Sequence, residues 1–160
     1  MLQKVKTKKI SARSETFAIV ASKYNDRYVG AMLRAAKAEI IRAGGKVRVV
    51  RVPGAYEIPV VAARLARSQE FVGVICLGVI LRGATTHAQH IGEAVSNALS
   101  QIQIQHEVPI IHEVLLLENE QQAKERCLYK KHNRGVEAAQ TALEMARVMR
   151  SLPQVFEIPY

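Results

Sequence analysis

Short apolar runs alternate with helix-period segments along most of the chain, and that alternation constrains the fold more than any other feature. Residues 17–21 (FAIVA) form the first run and read as a strand. Ser22-Lys23-Tyr24-Asn25-Asp26 closes it with turn and helix-start chemistry. Val29, Met32, Leu33, Ala36, Ile40 and Ile41 recur at helical spacing until Gly44-Gly45 stops the helix. Residues 46–52 alternate valine with basic residues, as a half-buried strand does. Pro53-Gly54 turns the chain, and 57–67 read as a helix that tolerates Pro59 in its first turn. Residues 71–81 form a Val- and Ile-rich run without alternation, the pattern of a central strand buried on both faces. Arg82-Gly83-Ala84-Thr85-Thr86 then opens a long helix to about residue 105. A fourth strand over 109–117, a short helix over 120–128, a polar connector over 130–135 and a last helix over 136–150 complete the pattern. Strand and helix in strict succession predict a parallel sheet covered by helices on both faces, an α/β architecture.

In such a sheet, right-handed crossovers bring every strand end to one side, and ligands bind beyond the carboxyl ends. The polar residues there are Tyr24-Asn25, the stretch from Gly54 to Glu57, the stretch from Arg82 to His87, and the stretch from Leu116 to Asn119. The most informative is Gly83-Ala84-Thr85-Thr86-His87. Free backbone N–H groups at a helix start favour an anion, and a histidine in the first turn suits proton transfer near neutrality. His87, His90 and Glu93 follow one another at three-residue steps, but such steps drift around a helix and converge poorly on a metal ion. His106, His112 and His132 are isolated. Arg126, Lys130, Lys131 and Arg134 make a basic stretch that suits phosphate or simply a helix end. No P-loop, dinucleotide fingerprint or nucleophile elbow is present.

The 160 residues fit one domain, with a basic arm at 1–13, a core at 14–151 and a tail at 152–160. The net charge of +9 points to an anionic partner, whether nucleic acid, membrane surface or phosphorylated metabolite. Five of the positive charges, on Lys4, Lys6, Lys8, Lys9 and Arg13, fall in the first thirteen residues and read as a solvated tail, which weakens the first two options. The two cysteines lack any framework or zinc spacing, and Cys76 reads as a small buried hydrophobe. With no membrane-length apolar stretch and no signal-peptide pattern, a cytoplasmic protein is expected.

The chain resembles the 6,7-dimethyl-8-ribityllumazine synthases of riboflavin biosynthesis from about Phe17 to Met149. The resemblance rests on Lys23-Tyr24-Asn25-Asp26, on Val52-Pro53-Gly54-Ala55-Tyr56-Glu57-Ile58-Pro59, and on Gly78 through Arg82-Gly83-Ala84-Thr85-Thr86-His87. It continues in Glu125-Arg126, Asn133-Arg134-Gly135 and the stretch from Thr141 to Ala146. It implies a flavodoxin-like three-layer sandwich with a four-stranded parallel sheet. It also implies condensation of 5-amino-6-(D-ribitylamino)uracil with 3,4-dihydroxy-2-butanone 4-phosphate, giving the lumazine, phosphate and water without metal or organic cofactor.

By matching position, the resemblance gives Tyr24 a stacking role on the pyrimidine. Ala55, Tyr56, Glu57, Val79, Ile80 and Leu81 contact the ribityl chain and ring edge. Ala84, Thr85 and Arg126 hold the phosphate, and His87 moves protons. His112 and Arg126 come from the neighbouring subunit of a homopentamer or a pentamer-based icosahedral shell; neither nucleic acid nor membrane is an expected partner. Three positions depart from the family pattern. His112 replaces a usual Phe and adds titration, Leu116-Leu117 replaces polar residues, and the connector at 128–132 lacks its glycines, with Arg134 in place of Lys. Two other classes compete: a flavin- or lumazine-binding module without turnover, which the presence of His87 disfavours, and a shell protein or nucleic-acid binder driven by the basic arm.

Overall fold

The computed structural model describes residues 2–154. The elements follow in the order β1 (Thr16–Ser22), α1 (Asp26–Arg42), β2 (Lys46–Val52), a 3₁₀ turn (Ala55–Glu57), α2 (Ile58–Arg67), β3 (Val74–Leu81), α3 (His87–His106), β4 (Ile110–Leu117), α4 (Glu120–Ala123) and α5 (Arg134–Ser151). The four strands form one parallel sheet in the order β2-β1-β3-β4. This is the α/β architecture that the alternation predicts.

Strand periodicity divides the core between two faces. Phe17, Ile19 and Ala21 of β1 join Ile75 and Leu77 of β3 beneath α1 and α5, against Val29, Met32, Ile40 and Leu143. Ala18, Val20, Val74 and Cys76 point the other way, toward Ile58 and Ala62 of α2 and Val95, Leu99 and Ile102 of α3. Cys76 is fully buried, and desolvation pushes its thiol up to about 12. It packs as a small apolar residue.

Two local features differ from the expected pattern, and Asn133 makes a hydrogen bond at both. The short helix does not run evenly to 128. α4 is capped by Asn119, whose Oδ1 accepts the Gln122 N–H at 2.9 Å, and then widens into a π-helical turn (Lys124–Leu128). Asn133 Nδ2 donates to the Cys127 carbonyl at 2.7 Å, satisfying a group that this turn leaves free. The same side chain caps α5, its Oδ1 accepting the Gly135 N–H at 2.8 Å, so α5 begins two residues before its apolar periodicity does. Gly135 lies against α1 with no room for a side chain: a Cβ there would stand 2.1 Å from the Met32 carbonyl oxygen.

The basic arm keeps its lysines exposed, as a solvated tail would, but its backbone is anchored. The Val5 N–H donates to the Lys131 carbonyl at 3.0 Å and the Ala12 N–H to the Ala43 carbonyl at 2.9 Å. Ile10 packs against the core. Among the described residues no helix is long and apolar enough to cross a membrane. Of the expected tail at 152–160, residues 155–160 lie outside the described ones.

Candidate functional site

The sheet order reverses direction at β1: β2 lies on one side and β3 on the other. A crevice opens beyond the carboxyl ends at such a point. Register defines its floor. β1 pairs with β3 only as far as Ala21 opposite Leu77, whereas β3 and β4 stay paired to Leu81 opposite Leu117. The backbone of a parallel strand faces its two neighbours alternately. Gly73 and Val79 face the β1 side, their carbonyls accepting from the Ala18 N–H at 3.0 Å and from Asn25 Nδ2 at 2.8 Å. Val74 and Arg82 face β4, donating to the Pro109 and Leu117 carbonyls. Leu81 therefore turns its N–H and C=O toward the β1 side after β1 has ended at Ser22. These groups are offered to whatever occupies the crevice.

The cleft here encloses about 850 Å³. Val79, Ile80 and Leu81 line its floor, Tyr24 and the Ala55-Tyr56-Glu57 turn one wall, and His87, His90, Ile91 and Ala94 of α3 the other. Tyr24 follows β1 directly, with its N–H on the Pro53 carbonyl at 3.0 Å, and its ring is 73% exposed. Tyr56 is similarly open at 64%. Two large aromatics left uncovered at the mouth of a cleft provide faces for a planar ligand. Glu57 reaches back to accept the Gly54 N–H at 2.9 Å, which fixes its carboxylate at the rim. His87 is the first residue of α3 and is exposed. Its N–H makes a long contact of 3.4 Å to Thr85 Oγ1, so Thr85, not the N-cap Thr86, meets the helix start. Ala84 and Thr85 lie in the exposed loop leading to His87.

The two remaining residues of the expected site lie elsewhere on this chain. His112 is on β4, facing α3. The Val114 N–H donates to its Nδ1 at 3.1 Å, so Nε2 carries the proton and donates to Ser96 Oγ at 2.7 Å. Desolvation holds the ring below the usual histidine range. Arg126, on the π-helical turn, lines a second cleft with His132, Arg134 and the basic arm. There Glu113 is buried, and its Oε1 accepts from Arg134 Nε at 2.7 Å. Desolvation raises the Glu113 carboxyl despite the guanidinium beside it. Cys127 is fully buried nearby, its thiol pushed up to about 12 by burial and by Glu113.

Sequence reasoning places Asn25 in the turn and helix start after β1 and names no partner for its side chain. Asn25 caps nothing with its amide; it bridges to Val79. Ser96 and Glu113 carry no sequence signal, because each is recognised only by a contact between separate elements. Among the described residues no group of three His, Cys, Asp or Glu side chains is arranged to hold a metal ion.

The family model described as 6,7-dimethyl-8-ribityllumazine synthase matches residues 14–150. A curated protein of that name from Aquifex aeolicus is 40% identical over 147 residues, covering 90% of this chain and 96% of its own. Another, from Syntrophus aciditrophicus, is 38% identical over the same length and with the same coverage.

Proposed function

The chain belongs to the 6,7-dimethyl-8-ribityllumazine synthase family and is a transferase of that type; on that premise we propose that it condenses 5-amino-6-(D-ribitylamino)uracil with 3,4-dihydroxy-2-butanone 4-phosphate, releasing phosphate and water. The observation that carries this reading is the cleft at the β1–β3 divergence. It joins aromatic faces, an open strand backbone and a histidine at a helix N-terminus.

The family resemblance supplies the roles, and the chemistry of each residue suits its part. Tyr24 stacks on the flat pyrimidine, and the N–H and C=O of Leu81 meet the ring's amide edge. Ala55, Tyr56 and Glu57 take the ribityl hydroxyls, with Glu57 as acceptor. Val79 and Ile80 exclude water beneath the ring. The pyrimidine amine attacks the ketone, and loss of water from the carbinolamine gives an imine. Phosphate leaves with the C–O bonding pair, the ribityl nitrogen closes the ring, and water departs. His87 takes and returns protons at these steps. Ala84 and Thr85 at the start of α3, with Arg126, hold the phosphate where its charge develops. The family resemblance gives Arg126 and His112 to the cleft of the next subunit, and on their own chain neither lines the cleft that holds His87.

The working unit is a closed homopentameric ring or a pentamer-based shell in the cytoplasm. The core at 14–151 carries the reaction. Ile104 on α3 and Val60 on α2 are 74% and 71% exposed, apolar surface that a head-to-tail ring would cover. The direct test is the appearance of lumazine absorbance when both substrates are mixed with the protein, against mixtures lacking either one. Rates no faster than the uncatalysed reaction would overturn the assignment.

A further inference from the structure

The basic arm forms one side of the second cleft. The Gln3 carbonyl meets His132 Nδ1 at 3.1 Å; a carbonyl only accepts, so Nδ1 carries the proton. The Val5 N–H holds the Lys131 carbonyl, and the Lys8 N–H donates to Gln140 Oε1 at 2.7 Å. These anchors fix the arm along the connector before α5. The cleft encloses about 760 Å³. Lys4 and Lys6 both line it, as does Arg126.

The charges there are not equally available. Arg134 is occupied, with Nε on Glu113 and Nη1 on Glu137 at 2.8 Å. Arg126 makes only a 3.5 Å contact from Nη1 to the Gln122 carbonyl. Among the described residues, neither Arg126 nor Lys4 nor Lys6 joins an ion pair. Glu125 shares the cleft, with its Oε1 held by Gln121 Nε2 at 2.9 Å. Three uncommitted cations thus border one cavity, held there by backbone bonds that do not depend on their charge. A guanidinium and two ammonium groups match the several acceptor oxygens of a phosphate dianion.

We propose that the anchored arm is part of the phosphate site: Lys4 and Lys6 act with Arg126 to bind a phosphomonoester dianion or the inorganic phosphate it releases. The proposal rests on the assignment of Arg126 to substrate phosphate. The arm then contributes to capture of the phosphorylated substrate and leaves the proton transfers to His87.

The test compares the parent chain with Lys4→Gln/Lys6→Gln and with Lys9→Gln/Arg13→Gln, which removes the same charge from the arm outside the cleft. Two readouts are taken: inorganic phosphate affinity by calorimetry, and KM for butanone phosphate. Losing two exposed ionic contacts should weaken both by roughly five- to tenfold at low salt. The difference should shrink at about 0.5 M salt, and the pyrimidine KM and kcat should stay put. The control variant should match the parent. Equal weakening in both variants would reduce the effect to net charge, and no weakening in the cleft variant would remove the arm from the site; either overturns the proposal. A parent that forms no lumazine but binds phosphate through Lys4 and Lys6 would keep the anion site and remove the synthase reading.

Discussion

The side-chain amide of Asn25 donates to the carbonyl of Val79 at 2.8 Å, tying the end of β1 to the end of β3 where the two strands part. Asn25 itself sits at φ 57° and ψ 40°, a left-handed conformation that Asn tolerates better than most residues. The bond links the segment carrying Tyr24 to the strand end carrying Leu81. Asn25→Ala removes the bond and adds left-handed strain, with an expected loss of about 2 kcal/mol in chemical denaturation. Asn25→Gly removes the bond but not the permitted backbone, and should lose about half as much. Both should raise the pyrimidine KM. A pyrimidine KM unchanged in both variants would show that the bridge does not position the cleft.

His87→Ala should slow turnover without abolishing it. A positioned general acid–base contributes roughly 100- to 10,000-fold, and an amine and a ketone already react in water once held together. The expected loss in kcat is about 100-fold or less. His87 is exposed, so stability should not change. Turnover equal to the parent's across pH would remove His87 from the proposed mechanism.

The positions of Tyr24, Glu57 and His87 were legible because β/α alternation puts every strand end on one side, and each residue follows its strand within a few positions. The elements themselves were written in local signals such as Gly44-Gly45 and Pro53-Gly54. What was not legible depends on contacts between distant parts of the chain. Asn25 and Val79 are 54 residues apart, and a turn asparagine has many possible partners. The arm read as solvated because lysines are soluble, yet its anchors are mostly peptide groups, and a peptide N–H such as that of Val5 has no residue signature. Asn133 satisfies the Cys127 carbonyl at the end of the π-helical turn, a contact that spacing alone does not reveal.

His112 puts a titratable ring where the family usually has Phe. His112 is exposed at its surface, but partial desolvation against α3 lowers its pKa, and Nδ1 already accepts from Val114, so protonation would break that bond. The sign follows. Below about pH 6.5 the unfolded histidine binds a proton that the folded ring resists, so stability falls as pH drops toward the folded value. His112→Phe should remove this component. Denaturant midpoints of parent and variant should diverge from about pH 6.5 downward, the parent losing more. Parallel curves would show that the ring is not held neutral by its surroundings.

Gly135→Ala should destabilise the fold by about 3 kcal/mol or more, because the new methyl meets backbone rather than a movable side chain. Gly83 lies in the loop before His87 with open space around its Cα. Gly83→Ala should therefore leave thermal stability close to the parent's. Comparable melting shifts in the two variants would mean that α1 and α5 can separate freely.

His87 lines the cleft beyond β1 and β3, whereas Arg126 lines the cleft beside the arm. If one reaction uses both, the two residues come from adjacent subunits. His87→Ala and Arg126→Ala should each be strongly impaired alone. When the two variants are dissociated, mixed in equal amounts and reassembled into a head-to-tail ring, a boundary is intact if one subunit supplies His87 and its neighbour supplies Arg126. Random mixing makes about a quarter of the boundaries intact, whatever the ring size. Activity should return to roughly that fraction of the parent's. If both residues served a cleft within one subunit, every site would keep one lesion and mixing would restore nothing. Mixed assembly confirmed by mass, with no recovered activity, would therefore sink the shared-site arrangement while leaving family membership untouched.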